Sequence, residues 1–310
     1  NFDMTTNSVN PFDCLPDELI EYIFFTIIYS PPVEPYNHVN NIATSTFYFS
    51  HSLHEPYLRR TYKDLTSLEL VCRRFYNLLR SSAFWLQKCH RDHVVIGNEQ
   101  LAISTGIDFR RLYFSNPFHP DYNLLNLNSS NQDQLNQFWT PNVSWEETPV
   151  GSDLLYDEFG LVSSCYATSY AWGQYQRDNV QLLRKGEEKL VSINPVIEFT
   201  VCVAGRWDCS SICNLELCFS NGHEWKYQRS FSNGDCQWHR LVYRYVNYRQ
   251  NEMPSHVSII LKGKDQRFWA GNYGTKFAQI KLRLALRQEN ETENREFEET
   301  MLNSQIPQVA

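Results

Sequence analysis

Apolar residues recur every three or four positions near the start of the chain and every second position over its later half. Over residues 14–28, Leu15, Leu19, Ile20, Ile23, Phe24, Ile27 and Ile28 share one broad face, the spacing of an amphipathic helix. Pro16 suits the first turn of that helix, and Asp17 and Glu18 suit its positive end. A second helix is predicted over 65–80, where Thr66 and Glu69 have capping-box spacing and Leu68, Val71, Phe75, Leu78 and Leu79 form a stripe. A third starts near Ser82 and carries Trp85 and Cys89. Between the first two lies 29–63, with Pro31, Pro32, Pro35 and polar runs, which reads as a surface insertion of small closure cost.

From about residue 113 the period changes to two. Ile197, Phe199, Val201 and Val203 alternate with polar or small residues, as do Leu215, Leu217 and Phe219, and Val257, Ile259 and Leu261. The clearest run sets Ala278, Ile280, Leu282, Leu284 and Leu286 inward and Gln279, Lys281 and Arg283 outward. Short alternating strands separated by turns such as Ser220-Asn221-Gly222 and Ser232-Asn233-Gly234 predict an all-β antiparallel sandwich. The expected organisation is a flexible start over 1–10, a helical unit over 11–93, a linker over 94–112, the sandwich over 113–286 and an acidic tail over 287–310, solvated as a helix or disordered.

Composition narrows the function. With 310 residues and 15% aromatic side chains the chain is a folded protein of about two domains. Its net charge of −7 gives no basic field for nucleic acid or anionic membrane. No apolar stretch reaches the roughly 18 residues of a membrane span, and the first residues lack the order of a secretory signal, so a cytoplasmic location is expected. Nine cysteines at irregular spacing suit reduced thiols.

Leu15-Pro16-Asp17-Glu18-Leu19, then Leu68, Val71-Cys72-Arg73-Arg74-Phe75 and Trp85, resemble the F-box. The departures are the 29–63 insertion and Phe75 where that motif often carries Trp. The later stretches "DFRRLYF" (108–114), "NLL" (123–125), "FW" (138–139), "YATSY" (166–170), "DNVQLLRKG" (178–186), Arg206-Trp207-Asp208 and "FWAGNYG" (268–274) are similar to the F-box-associated domain of the sugar-recognising F-box proteins. "EEKLVSINP" (187–195) and residues 126–160 diverge from it.

That resemblance implies an α+β chain by domain: a small three-helix F-box, then a galactose-binding, jelly-roll-like sandwich. It implies a non-catalytic substrate adaptor of an SCF ubiquitin ligase, working by proximity. The F-box would dock on the SKP adaptor, and through it the cullin–RING ligase, by Leu15, Pro16, Leu19, Ile23, Leu68, Val71, Cys72, Phe75 and Trp85. The sandwich would hold a protein or N-glycosylated misfolded substrate for degradation, as in ERAD, with Tyr166, Phe268 and Trp269 at the family's ligand-contacting aromatic positions. Ala270 stands where good glycan binders carry Lys, which withdraws a cationic donor. A stand-alone carbohydrate- or protein-binding sandwich, independent of any ligase, is the alternative.

Weaker constellations carry less. Cys209, Cys213, Cys218 and His223 run into an alternating strand that separates metal ligands, and Cys236 beside His239 is proximity in sequence without catalytic geometry. No metal, cofactor or catalytic residue is expected.

Overall fold

The run Val196–Ala204 is buried at all nine positions, which a strand reaches only where both faces of its sheet are covered. In the computed structural model, residues 67–302 are described except 68, 71–72, 121, 126–136, 158–159, 163, 250–251 and 288–296. The strands are β1 Ser144–Glu146, β2 Leu155–Asp157, β3 Gly160–Val162, β4 Cys165–Ala167, β5 Gly173–Gln181, β6 Val196–Ala204, β7 Ser211–Phe219, β8 Glu224–Phe231, β9 Trp238–Tyr245, β10 His256–Asp265, β11 Lys276–Ala285 and β12 Phe297–Leu302. One antiparallel sheet has the order β1-β4-β11-β6-β9-β12, a second β5-β10-β7-β8, and β2 and β3 form a hairpin. This is an antiparallel β-sandwich.

Alternation places the core. Val257, Ile259 and Leu261 of β10 and Leu215 and Leu217 of β7 are buried, as their period predicts. On β6, Glu198 accepts Arg244 Nε at 2.9 Å and Arg283 Nε at 2.6 Å from the two flanking strands. Burial alone would raise the Glu198 pKa, but those two guanidinium groups hold it below the usual carboxylate range. Beside it, Cys202 and Ala204 pack in a second apolar cluster with Leu155, Cys165, Trp238 and Ala278.

β11 departs from strict alternation. Its register on β6 shifts between Ala278 and Lys281, and Gln279 lies at φ +50°, the signature of a bulge. Phe277 therefore points into the core on an odd position and Ile280, Leu282 and Leu284 on even ones. Ala278, expected inward with the later residues, is buried in the second cluster instead.

The chain divides into two units. One holds residues up to 95 with 108–116, and the other holds 96–107 with 117–310. The expected linker over 94–112 is thus shared: helix Glu99–Ser104 belongs to the sandwich unit and helix Phe109–Ser115 to the helical unit. In the helical unit, Ser81 caps helix Ser82–Arg91, and Trp85 donates to the Leu79 carbonyl at 2.7 Å while touching Phe84, Tyr113 and Phe114. Phe75 and Trp85 are both interior, so neither is an open docking side chain within this chain. Leu15, Pro16, Leu19, Ile23, Leu68, Val71 and Cys72 lie outside the described residues.

The tail also differs from expectation, because Phe297–Leu302 pairs with β9. Among the described residues no helix is long and apolar enough to cross a membrane.

Candidate functional site

β4, β6, β8 and β10 all finish at one end of the sandwich, as the pairings Lys276↔Ala167, Lys276↔Ala204, Ser211↔Phe231 and Asp265↔Ser211 require. The loops that follow them are laced by backbone bonds. Asp265 N donates to Ser169 O at 2.9 Å, Gln266 N to Ser210 O at 2.9 Å, and Gly274 N to Thr168 O at 2.8 Å. Gly274 does not have a positive φ, unlike Gly271 at +119°. Its need is space, because a Cβ there would run into the hydroxyl and carbonyl of Thr168.

Loop 266–275 is set by a buried acid. Asp265 is wholly buried, and its Oδ1 accepts the amides of Arg267 at 2.9 Å and Phe268 at 2.5 Å. The loop turns through Phe268 at φ +58°, a conformation disfavoured for a bulky residue unless its surroundings impose it. Next, Trp269 stands edge-on to Tyr273 at 5.3 Å, and Arg206 lies 4.4 Å over the Tyr273 ring. Arg206 is fixed by Asp208 through two 2.9 Å bonds and by the Val150 carbonyl at 2.9 Å. The fork from Arg206 holds the Asp208 carboxyl below its ordinary range. Beneath, the buried Lys276 ammonium binds Glu146.

Above these supports the surface is aromatic. Tyr170 is 50% exposed, Trp172 42%, Trp207 63%, Phe268 72% and Trp269 39%. All five stand on the loops 168–172, 205–210 and 266–275, and they are the strongly exposed aromatic side chains among the described residues of the sandwich unit. Exposed rings gathered in this way mark a binding surface. A flat ring offers a dispersion platform to the C–H face of a pyranose, and nearby polar groups bond its hydroxyls.

The three aromatic residues singled out from sequence separate here. Phe268 and Trp269 are on the exposed surface, whereas Tyr166 is 7% exposed, stacked on Trp139 at 4.6 Å and edge-on to Trp145 at 4.8 Å. Burial pushes its hydroxyl up to about 12. It occupies β4, where its side chain turns inward, and the exposed aromatics of that stretch are Tyr170 and Trp172, just past the strand end. Trp207 is a further exposed ring outside the residues singled out from sequence. The available signal was position: rings at 170, 172 and 207 fall where alternation has stopped, so no core demands them. Among the described residues no three His, Cys, Asp or Glu side chains converge as metal ligands.

No family model and no curated protein matches the sequence. Among solved structures, TmCBM61 in complex with β-1,4-galactotriose is similar at TM-score 0.32 and 10% identity over 51% of this chain and 94% of that one. Family 16 Carbohydrate Binding Module-2 gives TM-score 0.29 and 13% identity over 46% and 89%. The CBM22-1 xylan-binding domain of Paenibacillus barcinonensis Xyn10C gives TM-score 0.26 and 17% identity over 49% and 88%. Likeness at this level identifies neither a family nor a ligand for this chain.

Proposed function

We propose that this chain is a recognition protein whose sandwich binds the carbohydrate of a glycoprotein at its aromatic loop end. We further propose that its helical unit is an F-box that carries this cargo to an SCF ubiquitin ligase. The observation that supports the first part is the gathering of Tyr170, Trp172, Trp207, Phe268 and Trp269 in exposed positions at one end of the sandwich. They stand on loops fixed from below by Asp265, Arg206 and Gly274. Rings already held in place lose little freedom on binding, which raises affinity.

The adaptor part rests on the F-box-like motif residues and on a helical unit that forms its own compact body. Within that unit Leu70 and Tyr76 remain exposed, apolar surface that a partner would cover. An adaptor needs no catalytic group, because holding a substrate near a charged conjugating enzyme raises its effective concentration.

Two measurements test the parts separately. A glycan array probed with the full chain should give signals that Trp269→Ala removes; a blank array ends the carbohydrate reading. Co-precipitation with the SKP adaptor should succeed for the full chain and fail for Leu15→Asp with Leu19→Asp. A chain that binds glycans and never binds SKP would be a stand-alone carbohydrate-binding module.

A further inference from the structure

Cations at the loop end fall into two kinds. Lys276 is bound to Glu146 and Arg206 to Asp208. Lys264 and Arg267 instead lie against exposed rings: Lys264 Nζ is 4.9 Å from the Trp172 centroid and 5.9 Å from that of Phe268, and Arg267 Cζ is 5.7 Å from that of Trp269. Among the described residues no carboxylate lies within ion-pair distance of either one. The adjacent acid, Asp265, is buried and turns one oxygen to two backbone amides.

This placement has chemical consequences. An ammonium held over two aromatic faces is more confined than an ordinary surface lysine, so less freedom is lost when it pairs with a ligand. Ala270 is exposed and brings no donor, so the cationic donors beside Phe268 and Trp269 are Lys264 and Arg267. A neutral sugar stacked on these rings leaves both cations without a counter-charge. A sugar acid meets both demands, with its C–H face on an indole and its carboxylate on the ammonium or guanidinium. In a chain of net charge −7, unpaired positive charge confined to the aromatic surface favours an anionic ligand there.

We infer that the aromatic loop end selects a carboxylated sugar, uronic or sialic, with Lys264 and Arg267 as the residues that set this specificity. The inference rests on the carbohydrate reading above and adds charge to it. A charge-assisted hydrogen bond of this kind is worth about tenfold to a hundredfold in affinity.

The test is calorimetric titration of the full chain with two matched pairs. One is sialyllactose against lactose, and the other is a glucuronic acid–N-acetylglucosamine tetrasaccharide against its carboxyl-reduced form. In at least one pair the acidic member should bind about tenfold or more tightly, with the preference shrinking at high salt. Which pair shows it separates sialic from uronic acid. Lys264→Gln with Arg267→Gln should erase the preference and spare the neutral sugar, and Lys264→Arg should keep it. Equal affinities within both pairs, with binding still sensitive to Trp269→Ala, overturn the charge inference alone. No binding of any sugar overturns the carbohydrate reading with it, and binding of a poly-glutamate peptide in that case reassigns the surface to acidic protein.

Discussion

The buried carboxylate of Asp265 accepts the backbone amide of Phe268 at 2.5 Å, and Phe268 sits at φ +58° with its ring largely in solvent. An acid in the sandwich interior thereby orders the backbone of the loop that presents the most exposed ring of the site. Asp265→Ala removes the acceptor of two amides, and water solvates them once the loop relaxes. Unfolding free energy should fall by about 1–3 kcal/mol. Glycan-array signal should fall more than folding does, because loop order is lost. Asp265→Asn keeps one acceptor and should retain most of both. An Asp265→Ala chain with full binding would deny the carboxylate its role.

Phe268 allows stability and binding to be separated. Its ring buries little, and left-handed backbone is disfavoured for it by about 1–2 kcal/mol, while Gly loses about 0.5–1 kcal/mol through its unfolded chain. Phe268→Gly should therefore leave the denaturation midpoint nearly unchanged or slightly raised. Ligand binding should drop about tenfold, since a stacking ring is gone. A clear loss of stability would mean that the ring packs in solution more than its exposure shows.

What could be read from sequence was what local period controls. The inward residues of β7 and β10 follow alternation, and helix Ser82–Arg91 begins where Ser81 can cap it. The bulge at Gln279 was invisible because Gln is not a turn residue, and one inserted residue puts Ala278 on the face opposite Ile280, Leu282 and Leu284. Tyr166 was misplaced for a related reason. Its role came from likeness to a motif, whereas its direction is set by pairing with Trp145 on β1 and Phe277 on β11, both distant in sequence.

Tyr166 makes that difference measurable. Among the described residues its buried hydroxyl has no hydrogen-bond partner, so Tyr166→Phe should be neutral or stabilising by up to about 1–2 kcal/mol, because an unpaired polar group leaves the core. Binding should not change. Tyr166→Ala should cost about 3–5 kcal/mol through the cavity against Trp139. Tyr170→Ala should do the reverse, weakening ligand binding with little effect on urea denaturation.

Alkaline pH should destabilise the fold through buried acids that stay protonated. Burial raises Cys89, Cys165 and Cys213 from 9.0 to about 12 and Tyr122 from 10.0 to about 12. Above pH 9 the unfolded chain gives up these protons and the folded chain keeps them, so the folded state binds more protons and stability falls as pH rises. The stability is fully present below about pH 8 and is lost progressively toward pH 12. Lys88 works against this, since burial lowers its pKa and its desolvation penalty eases as pH rises, but it is one group against several. Urea midpoints at pH 7.5 and 10 should show the decline, and Cys165→Ala should reduce it. A midpoint independent of pH would contradict the buried thiols.

The C-terminal strand offers the last test, because its pairing depends on one acid. Glu299 of β12 binds Arg229, accepts Tyr227 Oη at 2.8 Å and lies 3.0 Å from His239 Nδ1. Phe297 touches Trp225 at 5.6 Å and Tyr227 at 5.0 Å. These contacts join β12 both to its neighbour β9 and to β8 of the facing sheet, closing an edge that would otherwise expose unpaired backbone. Local composition hides this, because "FEETML" lacks alternation and Glu299 finds its partners about 60 to 70 residues earlier in the chain. The ion pair is partly solvated, so Glu299→Ala should cost only about 1 kcal/mol, or roughly 2–4 °C in melting temperature for a unit of this size. Hydrogen exchange should nevertheless accelerate selectively in 238–245 and 297–302 while the β7–β10 ladder stays protected. Loss of protection spread evenly over both sheets would show that Glu299 supports the whole sandwich rather than fastening one edge strand, and Phe297→Ala should reproduce the selective pattern without touching a charge.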